Sequence, residues 1–460
     1  MGSRHWRPLL EGDLAAQAWE TVGAIAQALE SWSPGGPEAG QREDGVSIGG
    51  GATGRALFHG YLAHAGGPGA ERHAARAEQL LEEAIEALAT TPLLPTLYSG
   101  FTGVAWAVEH LGGLAGDSEE PEAGEAEEED MNEEIDEALL TALGRSSWLG
   151  DYDLISGLVG FGVYALERFP RPSAVRCLEA VVDRLDESAE KNGQEVTWFT
   201  PPEMLTSINR ERTPHGYYNL GVAHGVPGVI ALLADACRLG IRQDRARPLL
   251  EGAVRWLVAQ HLGERRGACY PSWVEPGIEP QPSRLAWCYG DPGIAATLLY
   301  AARAIGMGEW ESTSLAIATH AASSAPEYAG VRDAGLCHGA FGLAHLYNRI
   351  YQAAGDELFA DAARLWYRLG LEMRRPEGGV AGFEAWLPSR ENPQSGWSPD
   401  PGFLTGAAGV GLALLAAVTP VEPEWDRLLM VAIPPRGVVP AASRAESARR
   451  HGKSTNAKRG

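Results

Sequence analysis

The chain has 460 residues, 45% of them hydrophobic, with 14 tryptophans; it can bury a large core, which excludes a disordered protein. Its formal net charge of −22 argues against a nucleic-acid binder, which would need a basic face. Five cysteines form an odd and sparse set, so no disulfide framework is implied and a reducing compartment is expected.

Taken in order, Met1 to Asp13 lacks the continuous apolar core of a signal peptide. Apolar residues at helical spacing then run from Leu14 to Trp32. Gly51-Ala52-Thr53-Gly54 follows, leading into an apolar run to Ala65. An amphipathic helix is predicted over Ala70 to Ala89, then Gly100-Phe101-Thr102-Gly103 and the apolar Val104 to Leu111. Asp117 to Glu137 is dominated by Asp and Glu; such a run reads as a solvated insertion, with attraction of a cationic partner as the functional alternative. Amphipathic Glu133 to Leu143 precedes Gly157-Leu158-Val159-Gly160, and Ser173 to Glu190 precedes Gly225-Val226-Pro227-Gly228. Arg245 to Leu262 precedes Gly290 to Gly293, Glu309 to Ala325 precedes Gly339 to Gly342, and Asp356 to Met373 precedes Gly406 to Gly409. Long segments rich in Pro, Gly, Trp and Tyr (Asn192 to Tyr218, Gly263 to Pro282, Arg375 to Pro401) interrupt the later repeats. Loops of that length inside a compact domain are usually functional. The chain ends in a basic tail, 434–460, with almost no large apolar residues, expected to be disordered. No apolar run reaches the ~20 residues that a membrane span needs. The protein thus reads as soluble and cytoplasmic, with one domain over 1–433 and the acidic insertion at 117–137.

The pattern is seven copies of a charged-face helix, a G-x-x-G turn and a helix apolar on most sides. A helix apolar all round must be buried and one with a charged face lies outside, so repeats of this kind stack as supersecondary units. An open solenoid would need polar outer faces on its end repeats. Repeats one and seven are as apolar as the middle ones, so the expected fold is all-α, a closed α/α toroid of seven hairpins with inner and outer rings. The glycines let each turn sit close to its neighbours. Cradling of a phosphate by the helix N-termini is the competing reading, and the sevenfold repetition favours architecture.

In a closed ring the turns before the inner helices meet at one mouth. Just before the first glycine, repeats four, five and six carry His224, Cys288 with Tyr289, and Cys337 with His338. The same places hold Gly49-Gly50, Tyr98-Ser99 and Leu404-Thr405 in repeats one, two and seven. Two thiolates and an imidazole make a tetrahedral zinc set with one open position, as in catalytic zinc sites. Taken singly, each of these residues is more often a core residue; their shared register favours the metal. Zinc with two thiolates and one neutral histidine carries no net charge, which suits deprotonation of a substrate thiol better than strong Lewis-acid chemistry. His224, with Asp153 and Arg284 near adjacent turns, has the groups to move protons and stabilise an oxyanion. Cys177 and Cys237 read as core, and Cys269, in a rim loop, is assigned nothing.

The stretches Ala223-His224-Gly225-Val226-Pro227-Gly228, Arg284 to Gly293 and Leu336-Cys337-His338-Gly339, with Tyr152-Asp153 before Gly157, resemble the lanthionine synthetase C family over about residues 11 to 433. The resemblance implies a seven-hairpin α/α toroid with one zinc per chain, held by Cys288, Cys337 and His338. It implies a free-standing lanthipeptide cyclase that adds cysteine thiols to dehydroalanine or dehydrobutyrine and makes (methyl)lanthionine thioether rings, a step in lantibiotic biosynthesis. By match of motif, His224 carries over as the acid/base residue, with Asp153 and Arg284 assisting and Tyr289 lining the site; His215 is a further candidate. The implied partners are a dehydrated lanthipeptide precursor and the pathway's dehydratase and exporter. The implied location is the bacterial cytoplasm, at the periphery of a membrane-associated synthetase complex. Two rival readings use similar parts. One is a glutathione-binding or glutathione-adding relative; the other is zinc-dependent prenyl transfer, whose zinc set normally includes a carboxylate. The acidic insertion and the basic tail are departures that the family does not explain.

Overall fold

A computed structural model of the chain describes residues 6–32, 45–116, 130–145, 148–387 and 396–435. Most of the acidic run (117–129) and of the basic tail (436–460) lies outside the described residues. In chain order the helices are α1 (Gly12–Glu30), α2 (Ala52–His64), α3 (Ala70–Leu88), α4 (Phe101–Gly116), α5 (Glu133–Leu143), α6 (Leu158–Glu167) and α7 (Pro172–Ser188). There follow the short α8 (Ser207–Arg212), then α9 (Val226–Leu239), α10 (Gln243–Ala259), α11 (Asp291–Ile305), α12 (Gly308–Ala322), α13 (Ala340–Ala354), α14 (Glu357–Glu372) and α15 (Ala407–Val418).

Burial separates two rings. In α11 every residue from Asp291 to Ala304 is buried, whereas α3 buries only His73, Ala77, Leu80 and Ala84, the single stripe of an outer helix. The inner helices form a cycle: α2 packs on α4, then α6, α9, α11, α13, α15, and α15 returns to α2. The inner helices α2, α6, α11 and α13 each pack most closely on the outer helix that follows, and the N-terminal α1 packs on α15. The first helix therefore completes the last hairpin. The fold is a closed α/α toroid of seven hairpins. The seam is reinforced by the Leu9 and Leu10 amides, which donate to Ala417 O at 2.8 and 3.0 Å, and by the Trp6 indole, which donates to Ala416 O at 2.7 Å.

The G-x-x-G turn has a specific cause. In α13 the first three amides, of Ala340, Phe341 and Gly342, donate to the carbonyls of Asp333, Ala334 and Gly335, seven residues upstream. The first three amides of α6 and of α15 do the same. The orphan donors of the first turn are thus satisfied by the chain folding back on itself. In these three helices the fold-back occupies the donors that phosphate binding would need. A second consequence is that a carbonyl oxygen lies where the Cβ of the second glycine would be. Cβ atoms at Gly54, Gly103, Gly160, Gly228, Gly293, Gly342 and Gly409 would meet the carbonyl oxygen six residues upstream at 1.9 to 2.6 Å.

The turns are tied into a collar. Cys288 N–H donates to Cys337 O (3.1 Å), Cys337 N–H to Leu404 O (2.8 Å), Leu404 N–H to Gly49 O (3.2 Å) and Gly49 N–H to Tyr98 O (2.9 Å). Between the adjacent turns of repeats three and four, Leu154 N–H donates to Ala223 O at 3.2 Å. Below the collar the inner ring is filled by the chain after α15. Asp426, fully buried, accepts from His345 Nε2 at 2.7 Å and from both Nε and Nη2 of Arg349 at 2.5 and 2.9 Å. The carbonyls of Leu428 and Leu429 accept from Tyr98 Oη and Trp287 Nε1 at 2.7 and 2.9 Å.

Above the collar lies a rim whose short strands the sequence pattern does not announce. They are β1 (Glu190–Asn192), β2 (Glu195–Thr197), β3 (Phe199–Thr200), β4 (Tyr217–Asn219), β5 (Trp273–Val274), β6 (Ala385–Trp386) and β7 (Trp397–Ser398). The strands β3, β4 and β5 form one antiparallel sheet, with Phe199 opposite Tyr218 and Tyr218 opposite Val274, so the first two long segments are joined. The described end of the acidic run is also structural. Arg168, completely buried, bonds Asp136 at 2.8 Å and Asp130 at 2.6 Å, which pairs its charge as burial demands. All five cysteines are free, and among the described residues no helix is long and apolar enough to cross a membrane.

Gly409→Ala is expected to destabilise the fold strongly, because its Cβ would sit 1.9 Å from Phe403 O and 2.8 Å from a Leu336 methyl. The loss should be about 3 kcal/mol or more in equilibrium unfolding, at the upper end for an overpacked core. Gly113→Ala, exposed on α4 with nothing within 4 Å of the new methyl, should instead stabilise by up to about 1 kcal/mol.

Candidate metal centre and cavity

The collar bond between Cys288 and Cys337 sets two thiols side by side, and the next residue, His338, completes a cluster. The ligand atoms of Cys288, Cys337 and His338 all lie within 4.8 Å of one another. Cys288 is buried, Cys337 and His338 partly so. Hydrogen bonds from Cys337 and His338, with the Arg284 charge nearby, hold the Cys288 thiol well below its ordinary range although burial opposes this. Burial also works against a charged His338, but its bonds to Asp333 and Cys288 lift it to about 9. The donors are soft, convergent and shielded, and the set suits zinc.

Asp333 is the group that sequence reading missed. Its carboxylate lies 3.4 Å from His338 Nε2 and is itself held by the amides of Trp386 at 2.9 Å and Gly335 at 3.2 Å. A carboxylate behind a metal-binding histidine fixes the ring's orientation and tautomer. Its signal in the sequence is an acidic residue five positions before His338, aimed back by the turn. Through Trp386 the third long segment is anchored beside the cluster.

Next to this cluster opens a cavity of about 560 Å³, lined by Asp151, Tyr152, Asp153, His224, Arg284 and Tyr289 below and by residues of the rim segments above. His224 presents 41% of its side chain there and its Nδ1 lies 2.5 Å from Asp153 Oδ2. The other Asp153 oxygen accepts from the Ser156 amide at 2.7 Å. Burial lowers the His224 imidazole, but the hydrogen bond and charge of Asp153 outweigh it, so the group titrates above its ordinary value. Burial, and then the charge of Asp153, push the Asp151 carboxyl up. Tyr289 Oη accepts from the amide of Asn219 at 3.2 Å, and burial keeps its hydroxyl protonated far above the ordinary tyrosine range. Among the described residues no carboxylate pairs with Arg284, leaving its charge to the cavity. All seven residues singled out from the sequence therefore fall in this cluster or in the wall beside it. His215 does not: its side chain is 64% exposed and bound to Glu275 at 2.9 Å. Asn219, which holds Tyr289, and Arg212, a second cation in the wall, were not anticipated.

A family model described as "Lanthionine synthetase C-like protein" matches residues 43–430. The nisin biosynthesis protein NisC of Lactococcus lactis subsp. lactis is 24% identical over 293 residues, 58% of this chain and 65% of that protein. A solved structure of nisin cyclase superposes with a TM-score of 0.68 at 18% identity, covering 92% of this chain and 98% of its own.

Replacing Asp333 by Ala should lower zinc affinity about 10- to 100-fold, the usual loss when the partner of a ligating histidine is removed. Chelator competition on the purified chain measures this. Unchanged affinity would show that Asp333 does not act on His338.

Proposed function

Because this chain belongs to the lanthionine synthetase C-like family, we propose that it is a zinc-dependent peptide cyclase. It closes thioether rings by adding a cysteine thiol to a dehydroalanine or dehydrobutyrine of the same peptide. The observation that carries this reading is the adjacency of two sets. The zinc set Cys288, Cys337 and His338 neighbours a cavity that holds an acid/base pair, His224 with Asp153, and a cation, Arg284, with which no carboxylate of the described residues pairs. Zinc bound there would act as a Lewis acid that favours the deprotonated form of a substrate thiol near neutral pH.

The remaining steps fall to side chains. Attack of the thiolate on the β-carbon forms the C–S bond and moves the electron pair of the double bond onto Cα and the carbonyl oxygen. The enolate needs a cation near its oxygen and a proton at Cα. Arg284 supplies the first. His224 supplies the second: with Nδ1 engaged by Asp153, Nε2 is the nitrogen left to exchange a proton with substrate. The hydrogen bond and charge of Asp153 raise its pKa above the ordinary histidine value, which extends the protonated form to higher pH. Tyr289, held by Asn219, forms a protonated wall that orients the acceptor. The thiol loses one proton and Cα gains one, so the peptide's mass does not change.

The test follows free thiols. A dehydrated lanthipeptide precursor incubated with the chain should lose alkylatable cysteines at constant mass, and Cys288→Ala/Cys337→Ala should abolish this. A gain in mass on adding glutathione would instead favour the glutathione-adding reading. His224→Asn should retain zinc but lose about 10²- to 10⁴-fold in rate, the usual contribution of a general acid. For pH the sign is fixed by the environment: as an acid, His224 stops working as pH rises through its pKa. In Asp153→Asn the lowering by burial is no longer outweighed, so the alkaline limb of the rate profile should move to lower pH. An unmoved limb would remove His224 and Asp153 from the mechanism.

A further inference from the structure

A second cluster of metal-ligating side chains stands apart from the first. Cys269, in the rim segment before β5, Asp291, the first residue of α11, and His320, in the last turn of α12, bring their ligand atoms within 4.8 Å of one another. Asp291 has no exposed surface and Cys269 only 3%. The carboxylate accepts from the amides of Cys269, at 2.8 and 3.0 Å, and of Tyr270, at 3.1 Å. Among the described residues no basic side chain is ion-paired with it. A buried carboxylate bonded to amides alone is an incompletely compensated charge. His320 adds a further sign: its Nε2 lies 3.2 Å from Gly267 O. Donating there, the ring keeps its lone pair on Nδ1, the arrangement found behind metal-bound histidines.

We infer that Cys269, Asp291 and His320 bind a second divalent transition-metal ion, of the zinc class. The thiolate excludes hard ions such as calcium and magnesium. One thiolate, one carboxylate and one neutral imidazole balance the charge of a divalent ion, and water completes a tetrahedron. Tetrahedral zinc with bonds of about 2.0 to 2.3 Å holds its ligand atoms roughly 3.2 to 3.8 Å apart, which small side-chain rotations reach from the observed spacing. Cys269 and Tyr270 lead directly to Ser272 and Trp273 in the cavity wall, so the ion ties that wall to the hairpin α11–α12.

The chain, stripped by a chelator and reloaded with zinc or cobalt(II), should bind two ions. Cys269→Ser and His320→Ala should each leave one, as should Cys288→Ala/Cys337→Ala. In the cobalt form, Cys269→Ser should remove the weaker thiolate charge-transfer absorption and leave the stronger band of the two-thiolate site. His320 is only partly buried and lies at a helix end, so its variant keeps the measurement available if Cys269→Ser fails to fold. One ion in the wild type, undiminished in His320→Ala and absent from Cys288→Ala/Cys337→Ala, would overturn this inference and leave the cyclase reading standing. One ion lost only in Cys269→Ser and His320→Ala would do the reverse.

Discussion

The fold-back of the chain before each inner helix is the constraint from which the rest follows. An inner helix starts in the crowded mouth of the ring, where side-chain caps have little room. In α6, α13 and α15 the first three amides are satisfied instead by carbonyls seven residues upstream. That solution puts a carbonyl oxygen in van der Waals conflict with any Cβ at the fourth position of the motif. Glycine there is required by contact, whatever its backbone angles. At Gly290 both reasons coincide, since φ is +100° and a Cβ would meet Arg284 O at 1.8 Å.

The same turn delivers the chemistry. Its residues just before the first glycine cannot enter the helix and cannot leave the mouth, because the collar bonds hold them to their neighbours. Cys288 and Cys337 lie together because their backbones are hydrogen-bonded. No loop has to be ordered to assemble them, which is how a preorganised site avoids an entropic cost. The electrostatics are local as well. Two carboxylates, Asp333 and Asp153, each sit behind one histidine, yet the two histidines face different ways. His338 is grouped with the thiols, and His224 lines the cavity.

Much of this was legible in the sequence, for a physical reason. Burial on all sides and burial on one stripe leave different periodicities, so inner and outer helices separate by inspection, and G-x-x-G marks the register. The expected inner helices nevertheless begin about three residues late. The motif reads as a turn, whereas its first glycine is the N-cap and the rest is already helix, with Pro227 and Pro292 in the first turn of α9 and α11. What was not legible depends on distant partners. The rim strands are two or three residues long, and β5 exists only because it pairs across the mouth with β4, some 55 residues away in sequence. Asp333 lies beside His338, Asn219 bonds Tyr289, and Cys269 meets Asp291 and His320 only once the rim segment has packed on α11 and α12. The last acidic residues of the Asp117 to Glu137 run look like solvated charge until Arg168 is seen to need them.

Seven equivalent turns do not make seven equivalent sites, and the difference lies in what each turn does with the space on the axis. Tyr98 and Trp287 send their side chains inward onto the carbonyls of Leu428 and Leu429. Gly49 offers no side chain, and Leu404 contributes only apolar bulk. This half of the mouth is consumed in joining the collar to the chain that fills the ring. His224, Arg284 and Tyr289 take no part in that task. The open space therefore lies between His224, Arg284 and Tyr289, beneath the sheet formed by β3, β4 and β5. The cavity opens on the side that this sheet and α8 overhang. The repeated geometry of the ring thus fixes where the cavity lies, and its rim is set by residues such as Met204, Asn209 and Arg212, which the repeat does not dictate.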